Sequence, residues 1–200
     1  MSESSKRHGR PPTFDRLAAL DIAVELFWRH GYEGTSIAML TEGMGVTAPT
    51  IYAAFGSKEG LYLEGLARYR RHEQARWQGA MQSSAYRTVE TSLRKIAIQF
   101  ADPSKPKGCM VAVGLLNCSA EHGTVVEAVA AERNRDLESF ITQVEQAKLS
   151  GEVPPETNAE ALARFYAAVV EGMSVQAIDG ATAAQLDGIV DMALAAWPRH

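Results

Sequence analysis

The stretch that most constrains the fold is residues 35–59, which read TSIAMLTEGMGVTAPTIYAAFGSKE. It holds two short patterns of helical spacing that meet at a turn containing Gly45. Ser36 and Thr47 are residue types that cap helix N-termini, and Pro49 suits a first helical turn because its missing N–H would have no partner there. Two short helices joined by a tight turn predict a helix-turn-helix, a motif that places its second helix in the major groove of DNA.

The rest of the chain predicts an all-α protein. No segment alternates between polar and apolar residues over a useful length, and alanine is abundant. Cap residues, glycines and prolines divide the chain into about nine helices. Their expected spans are about 13–31, 36–45, 47 to the next cap at 57, 57–83, 88–101, 109–122, 125–149, 158–179 and 182–197.

Three parts follow from this division. We expect a basic, disordered arm over residues 1–12, a three-helix helix-turn-helix domain over 13–57, and a larger helical domain over 58–200. The net charge is −4, but residues 1–76 hold ten basic and nine acidic residues, whereas residues 77–200 hold ten and fifteen. DNA affinity depends on local neutralisation of phosphates, so an acidic second part is compatible with a DNA-binding first part.

A recognisable signature runs through the helix-turn-helix, in the order Thr35-Ser36, Gly45-Val46, Thr50-Ile51-Tyr52, Phe55 and Ser57-Lys58-Glu59. Through it the chain resembles the tetracycline-repressor (TetR) family of transcriptional regulators over about residues 12–66, and beyond them only the helical layout matches. The resemblance implies a dimeric DNA-binding regulator, usually a repressor, that a small molecule releases from a palindromic double-stranded operator.

The second helix of the motif has two faces. Ile51 and Phe55 lie four residues apart and are expected to pack on the first helix at Leu20 and Phe27. The opposite arc lacks Arg, Lys, Asn and Gln, so it cannot form the bidentate contacts that discriminate bases best. We expect apolar contacts with thymine methyls and hydroxyl bonds instead. The residues assigned to these contacts are Thr47, Pro49, Thr50 and Ala53. Tyr52 lies on the same arc, and Ala48 occupies a position that is often basic in the family resembled.

Phosphate contacts would fix the register of the protein on DNA. By resemblance the candidates are Thr35, Tyr52 and Lys58, and Lys58 also lies at a helix N-terminus, which favours an anion. The alternative for Tyr52 is a half-buried packing residue. In the arm, Arg7 and Arg10 flank a Gly-Arg-Pro core that suits an A·T-rich minor groove, the alternative being a basic tail that only aids solubility.

The last two helices carry apolar stripes that have to be buried. By resemblance, two such helices from each of two copies form a four-helix bundle that holds the homodimer together. The alternative is an intramolecular core without a dimer. The predicted dimer residues are Leu162, Val169, Leu186, Ile189, Val190, Leu194 and Trp197.

Helices four to seven enclose an inducer pocket in the family resembled. Because ligand pockets are mostly apolar, the residues available favour an apolar or aromatic small molecule. For any single residue, plain core packing is the alternative. The candidate lining residues are Trp77, Met81, Phe100, Met110, Leu115, Phe140, Phe165, Tyr166 and Met173, with Asn117 as a polar anchor.

Cysteine offers a second sensing chemistry. Cys109 begins the sixth helix after two lysines, and both features lower a thiol pKa, so an electrophile- or oxidant-sensing repressor is an alternative function. The plainer interpretation is a buried small residue. Cys118 and His122 share a helix face and are a weak metal-binding pair, because His122 is better explained as a residue at a helix C-terminus.

Other classes find little support in the sequence. Motifs of hydrolases, phosphate-binding loops and zinc proteases are missing, so we expect no enzyme, no cofactor and no metal. There is no apolar N-terminal run and no apolar stretch of membrane-spanning length, which favours a cytoplasmic protein without membrane contact. A helical interaction module with weak DNA binding remains a further alternative.

Overall fold

A computed structural model describes residues 14–77, 84–113 and 122–199. Within these residues the protein is all-helical, without a strand, as the sequence predicts. The helices are α1 (Arg16–Gly34), α2 (Ile37–Met44), α3 (Ala48–Phe55), α4 (Lys58–Trp77), α5 (Ala85–Ala101), α6 (Met110–Val113), α7 (Gly123–Leu149), α8 (Ala159–Ile178) and α9 (Ala183–Ala195).

The ends of α1 and α2 are set by short-range chemistry. Asp15 caps α1, because its carboxylate accepts hydrogen bonds from the N–H groups of Leu17 and Ala18. The predicted cap, Thr13, lies outside the described residues. Gly31 adopts φ 69° and interrupts the helix, as predicted. Ser36 accepts the N–H of Met39 and Gly45 ends α2 in the left-handed conformation, which confirms the predicted turn.

Thr47 occupies the position before α3, but its hydroxyl makes no capping bond, contrary to the prediction. The Thr47 and Thr50 hydroxyl oxygens instead lie 3.0 Å apart and share a hydrogen bond. At the next helix start, Ser57 does cap, since its Oγ accepts the N–H of Gly60 at 2.9 Å.

Three boundaries in the second half differ from the expected spans. Helix α5 begins earlier, because Ser84 accepts the N–H of Arg87 and caps it. Helix α9 ends before Trp197. His122 lies at the N-cap of α7 rather than at a helix C-terminus, although its side chain makes no capping bond. The caps of α8 and α9 at Asn158 and Thr182 are confirmed.

Two apolar clusters hold the helices together. The first cluster joins α1–α4 and also includes Met110 of α6 and Val125 and Val129 of α7. Its centre is aromatic: the Phe27 and Tyr62 rings meet edge to face with centroids 5.0 Å apart. The core beneath the helix-turn-helix therefore continues into helices that the sequence assigns to the second domain.

The second cluster joins α5, the end of α7, α8 and α9. Leu186 and Val190 of α9 are fully buried in it. Tyr166 of α8 lies beside them, and its hydroxyl donates to the carbonyl of Ala193 at 3.0 Å. A buried hydroxyl costs free energy unless it is bonded, so this contact fixes the relative positions of α8 and α9.

Polar contacts join the helices of the first cluster to α7. Arg70 of α4 pairs with Glu132 at 3.0 Å and also with Asp136, both on α7. His122 lies with its Nε2 3.4 Å from a carboxylate oxygen of Glu33 at the end of α1. Movement of α7 is therefore linked to both α1 and α4.

None of the helices within 14–77, 84–113 and 122–199 is long and apolar enough to cross a membrane.

The loop before α6 passes very close to α8. Gly108 has φ 70°, and a Cβ there would collide with Ser174 Oγ and lie 2.9 Å from the Ser174 carbonyl oxygen. Ser174 is fully buried, and its Oγ accepts the N–H of Cys109 at 2.8 Å. Glycine is required here both for the backbone conformation and for the close approach.

We predict that Gly108→Ala destabilises the protein more than Gly151→Ala does. Both glycines have positive φ, but a Cβ at Gly151 meets nothing within 4 Å. The shared conformational cost is about 1–2 kcal/mol, and overpacking against Ser174 adds about 1–3 kcal/mol for Gly108→Ala alone. Urea unfolding measures the difference. Equal losses for the two variants would contradict the close approach.

Candidate nucleic-acid interface

The helix-turn-helix is formed by α2 and α3, which pack on α1 and α4. The inward face of α3 is anchored as predicted, with Ile51 fully buried and Phe55 nearly so, in the same cluster as Leu20 and Phe27. The ring of Phe14 meets the Phe55 ring edge to face at 6.4 Å. One side of α3 is thereby fixed to the core.

The predicted outward arc of α3 lies at the surface. Pro49 and Ala53 are exposed, and Tyr52 is 45% exposed, which favours a surface role over the packing alternative. Ala48 and Thr50 are half-buried. The arc presents methyl groups, one phenol ring and one hydroxyl pair, which suits contacts with thymine methyls and phosphates better than bidentate recognition of guanine.

Thr35 is an exception among the predicted contact residues. It is fully buried, and its hydroxyl donates to the carbonyl of Gly31 at 2.7 Å and lies 3.3 Å from that of Leu26. Both carbonyls belong to the last part of α1, where the backbone is non-helical at Gly31. The hydroxyl therefore closes the end of α1, which contradicts a phosphate contact through it.

Lys58 is the first residue of α4, beside the C-terminal end of α3. Its Nζ lies 4.4 Å from the centre of the Tyr32 ring, a cation–π geometry that orients the ammonium group. The side chain is half-buried. Its position at a helix N-terminus is the one predicted for a phosphate contact.

Several arginines of α1 and α4 form ion pairs within the chain. Arg29 pairs with Glu25 at 2.7 Å, and Arg68 pairs with Asp21. The Arg68 guanidinium lowers the pKa of Asp21, mainly through the hydrogen bond, so this carboxylate stays charged. Arg16 and Arg70 also pair with carboxylates. The charges of these four arginines are therefore balanced within the chain, and the predicted contacts Arg7 and Arg10 lie outside the described residues.

The described members of the predicted pocket are divided between the two apolar clusters and the surface. Met110 lies in the first cluster, whereas Phe100, Tyr166 and Met173 are core residues of the second, with Phe140 packed against them. Phe165 is 41% exposed. The side chain of Trp77 and the residues Met81, Leu115 and Asn117 lie outside the part that the structure describes.

A groove of about 460 Å³ lies open at the surface, where the loop before α8 meets the end of α9. Leu162 and Phe165 form part of its wall, with Pro154, Asn158 and Pro198 around them. Its described lining includes no residue of α4, α5, α6 or α7, so it differs from the pocket predicted within helices four to seven.

A cluster of polar side chains, of which the sequence pointed only to Cys109, lies where α4, α5 and α8 meet the loop before α6. We define this buried polar cluster as Tyr69, Glu73 and Ser174, which are buried, with the half-buried Gln99 and Cys109. Glu73 is almost fully buried and accepts a hydrogen bond from Gln99 Nε2 at 2.9 Å. The Tyr69 hydroxyl lies 3.5 Å from Cys109 Sγ and donates to it. In the sequence, Glu73 continues the three- and four-residue spacing of Tyr62, Leu66 and Tyr69, which are buried along α4. An acidic residue at such a position is the pattern that points to a buried polar contact.

The thiol of Cys109 differs electrostatically from the prediction. Burial raises its pKa above the ordinary value, and the charge of Glu73 adds to this, although the Tyr69 hydroxyl and the N–H groups at the start of α6 act the other way. The nearby ammonium of Lys107 donates to the carbonyl of Ala101 at 2.6 Å. The predicted lowering of the thiol pKa is wrong. Cys118 lies outside the described residues.

Four of the predicted dimer residues are core residues of their own chain. Leu186 and Val190 are fully buried, and Leu194 and Trp197 are nearly so, which leaves them no side-chain surface for a partner. The apolar face that these four residues form is buried inside the second cluster. Leu162, Val169 and Ile189 are half-buried at its edge.

An apolar stripe on α8 nevertheless remains uncovered, together with Met192 of α9, which is 75% exposed. Its members are spaced three and four residues apart and so lie on one helix face. Large uncovered apolar patches on a folded chain mark interaction surfaces. The stripe consists of Ala161, Phe165, Ala168, Gly172, Val175 and Ile178.

Family models match both halves of the chain. Residues 19–64 match the model described as bacterial regulatory proteins of the tetR family, and residues 91–187 match the tetracyclin repressor-like C-terminal domain. The matched ranges contain α2 and α3 and most of the second cluster.

Individual relatives agree with these models. The HTH-type transcriptional repressor ComR of Escherichia coli K12 is 38% identical, covering 96% of this chain and 93% of that protein. The HTH-type transcriptional repressor BdcR of the same organism is 26% identical over the same shares. Among solved structures, a cysteine mutant of the TetR family transcriptional regulator CifR, complexed with 26bp double-strand operator DNA, has a TM-score of 0.89 and 39% identity, covering 94% of this chain and 100% of that one.

We predict that native Cys109 is a slow nucleophile. In a Cys118→Ser variant, alkylation by iodoacetamide near neutral pH should be at least about tenfold slower in the folded protein than in urea, because the raised pKa keeps the thiol protonated. The folded rate should rise at a higher pH than the unfolded rate. A Cys109→Ser variant gives the background labelling, and a folded rate above the unfolded one would show that the pKa is lowered after all.

Proposed function

Because the chain belongs to the TetR family of bacterial regulatory proteins, we propose that it is a homodimeric repressor that binds a palindromic operator. Residues 13–57 serve as the DNA-binding domain, and residues 58–200 bind the inducer and the second copy. The observation that carries the proposal is the geometry of α3: Ile51 and Phe55 anchor one face in the core, while Pro49, Tyr52 and Ala53 stand exposed on the other.

The exposed arc supports a particular kind of DNA recognition. Its methyl groups suit thymine, and the hydroxyl pair of Thr47 and Thr50 can bond to a base edge or a phosphate. Tyr52 and Lys58 are the phosphate contacts. CifR, a relative of similar length, has been captured on operator DNA, which supports the same use of the fold here.

The arm completes the recognition. Arg16, Arg29, Arg68 and Arg70 are paired with carboxylates, so the basic residues Arg7 and Arg10 contribute to affinity by binding the adjacent minor groove. Arginine is favoured in narrow A·T-rich minor grooves, where the negative potential is strongest. The arm and the thymine-directed arc would then select the same kind of sequence.

The uncovered stripe on α8 supports a homodimer. Gly172 and the alanines allow two helices to approach closely, and Phe165, Val175 and Ile178 supply apolar area. A two-fold axis through this face would present two copies of α3 to half-sites about 34–36 Å apart. Leu162, Val169 and Ile189 lie at the edge of the same face.

The ligand acts through α4, α6 and α7. The first cluster includes Met110, Val125 and Val129, so any shift of α6 or α7 reaches the core beneath α3. An apolar or aromatic inducer between α4 and α8 would contact the second cluster, with the buried polar cluster as its hydrogen-bonding partner. Differential affinity for two arrangements gives a coupling of about 1–3 kcal/mol. The raised thiol pKa gives no support to the alternative of thiol-based sensing.

We predict that the full-length protein binds a duplex from upstream of its own coding sequence more tightly than a scrambled duplex. Fluorescence anisotropy at several salt concentrations measures both affinities. A dimer with about 6–10 phosphate contacts should lose about 10³–10⁵ in affinity between about 50 and 200 mM salt. Deletion of residues 1–10 should lower both the affinity and the salt slope.

Equal, weak binding to both duplexes would favour a helical interaction module over a repressor. Unchanged affinity and preference after deletion of residues 1–10 would remove the arm from the mechanism while leaving the rest of the proposal intact.

We predict that Val175→Glu converts the dimer into a monomer. Val175 lies in the middle of the uncovered stripe and is 41% exposed, so a glutamate there would be buried without a partner when two copies meet. Light scattering should give half the mass of the parent, and operator affinity should fall because a single half-site remains.

Ile98→Glu is the matched control. Ile98 is 67% exposed on α5 and is not part of the uncovered stripe, so this variant should keep the mass of the parent. A monomeric parent, or an unchanged mass for Val175→Glu, would contradict the assignment of the dimer face.

A further inference from the structure

Arg16 makes an unusual set of contacts at the start of α1. Its Nε and Nη2 donate to the carbonyl oxygen of Ala54 at 3.4 and 3.2 Å. The same Nη2 donates to Glu64 Oε1 at 2.7 Å. The guanidinium carbon also lies 4.5 Å from the centre of the Phe55 ring. One side chain of α1 therefore contacts both the last turn of α3 and the second turn of α4.

The carbonyl of Ala54 needs such a partner. The last four carbonyls of a helix have no intrahelical donor, and a cation at a helix C-terminus is favoured by the helix dipole. At the end of α3, the Gly56 N–H bonds to the carbonyl of Tyr52 at 2.8 Å, which satisfies one of these groups. Arg16 supplies donors to the carbonyl of Ala54.

Helix α3 depends on its surroundings for its orientation. It has eight residues, and isolated helices shorter than about 12–15 residues are marginal in water. Its buried anchors, Ile51 and Phe55, lie on one face, with Ala54 packed beside them. Apolar packing on one face alone restrains the tilt of a short helix weakly, whereas Arg16 attaches the carbonyl end of α3 to α1 and α4 by directional hydrogen bonds.

We propose that Arg16 is a positioning residue that sets the orientation of the recognition helix and so contributes to operator discrimination without contacting phosphate. This inference rests on the proposed function for its DNA consequence. The orientation of α3 by Arg16 does not depend on the proposed function. Glu64 is the partner that holds the guanidinium in place.

A direct phosphate contact by Arg16 is the competing explanation. The two explanations predict different selectivity between duplexes and a different salt dependence of binding when Arg16 is replaced. Loss of one phosphate contact weakens all duplexes alike and reduces the salt slope by about 0.9. Loss of helix orientation weakens the operator selectively and leaves the slope unchanged. Glu64→Gln separates them further, because removing a negative charge near DNA should strengthen general binding, whereas disturbed positioning should weaken operator binding.

The experiment compares full-length Arg16→Gln and Glu64→Gln with Arg29→Gln as a matched control. Arg29 lies on the same helix in an exposed i,i+4 pair with Glu25. We expect Arg16→Gln to lose about tenfold in operator affinity, the scale of one mismatched base pair, with little change for a scrambled duplex. Glu64→Gln should show the same selective loss, and Arg29→Gln should not.

Hydrogen exchange gives a readout that needs no DNA. Amides within 48–55 should exchange about fivefold faster in Arg16→Gln, because a charged hydrogen bond at the helix end is lost, while amides of α8 stay unchanged. Unchanged exchange within 48–55, or equal weakening of both duplexes with a reduced slope, would overturn the proposal. If the parent shows no operator preference, the proposed function fails, and the exchange result alone decides whether Arg16 positions α3.

Discussion

Helix α3 has eight residues, and the helices packed around it keep it in place. Helix α3 is too short to be stable alone, so Ile51 and Phe55 have to be buried for it to exist as a rigid element. The cluster that receives them is built on edge-to-face contacts of the Tyr62 ring with Phe27 and Tyr32, which stack on each other. Well-packed aromatic cores resist deformation, and this lets the opposite face of α3 carry small, poorly discriminating side chains and still present them at a defined angle.

The same cluster explains how the two halves communicate. It does not stop where the helix-turn-helix ends, since α6 and α7 contribute Met110, Val125 and Val129 to it. Ion pairs from Arg70 to α7 run alongside this apolar contact. A shift in the second half cannot then be absorbed in a flexible linker, because packed interiors pass small displacements on to their neighbours.

Buried polarity is concentrated between the halves. Tyr69, Glu73, Cys109 and Ser174 lie at the junction of α4, α6 and α8, where the neighbouring clusters are apolar. Buried polar groups need defined partners, so this junction specifies one arrangement more sharply than apolar packing does. The same burial raises the thiol pKa of Cys109. Desolvation outweighs the helix N-terminus there, an outcome that depends on depth below the surface.

Short-range patterns were enough to predict the helical composition, the helix-turn-helix and most helix ends, because these depend on caps, glycines and apolar spacing within a few residues. The exposed arc at Pro49, Tyr52 and Ala53 followed from the same periodicity. Which apolar residues are buried inside the chain and which stay exposed depends on the packing of the helices. Leu186 and Val190 have the same pattern as an interface residue but are buried in their own chain, and Thr35 closes α1 instead of facing solvent. Periodicity identifies a face, whereas its neighbour is chosen by contacts between residues far apart in the chain, such as Arg16 with Ala54.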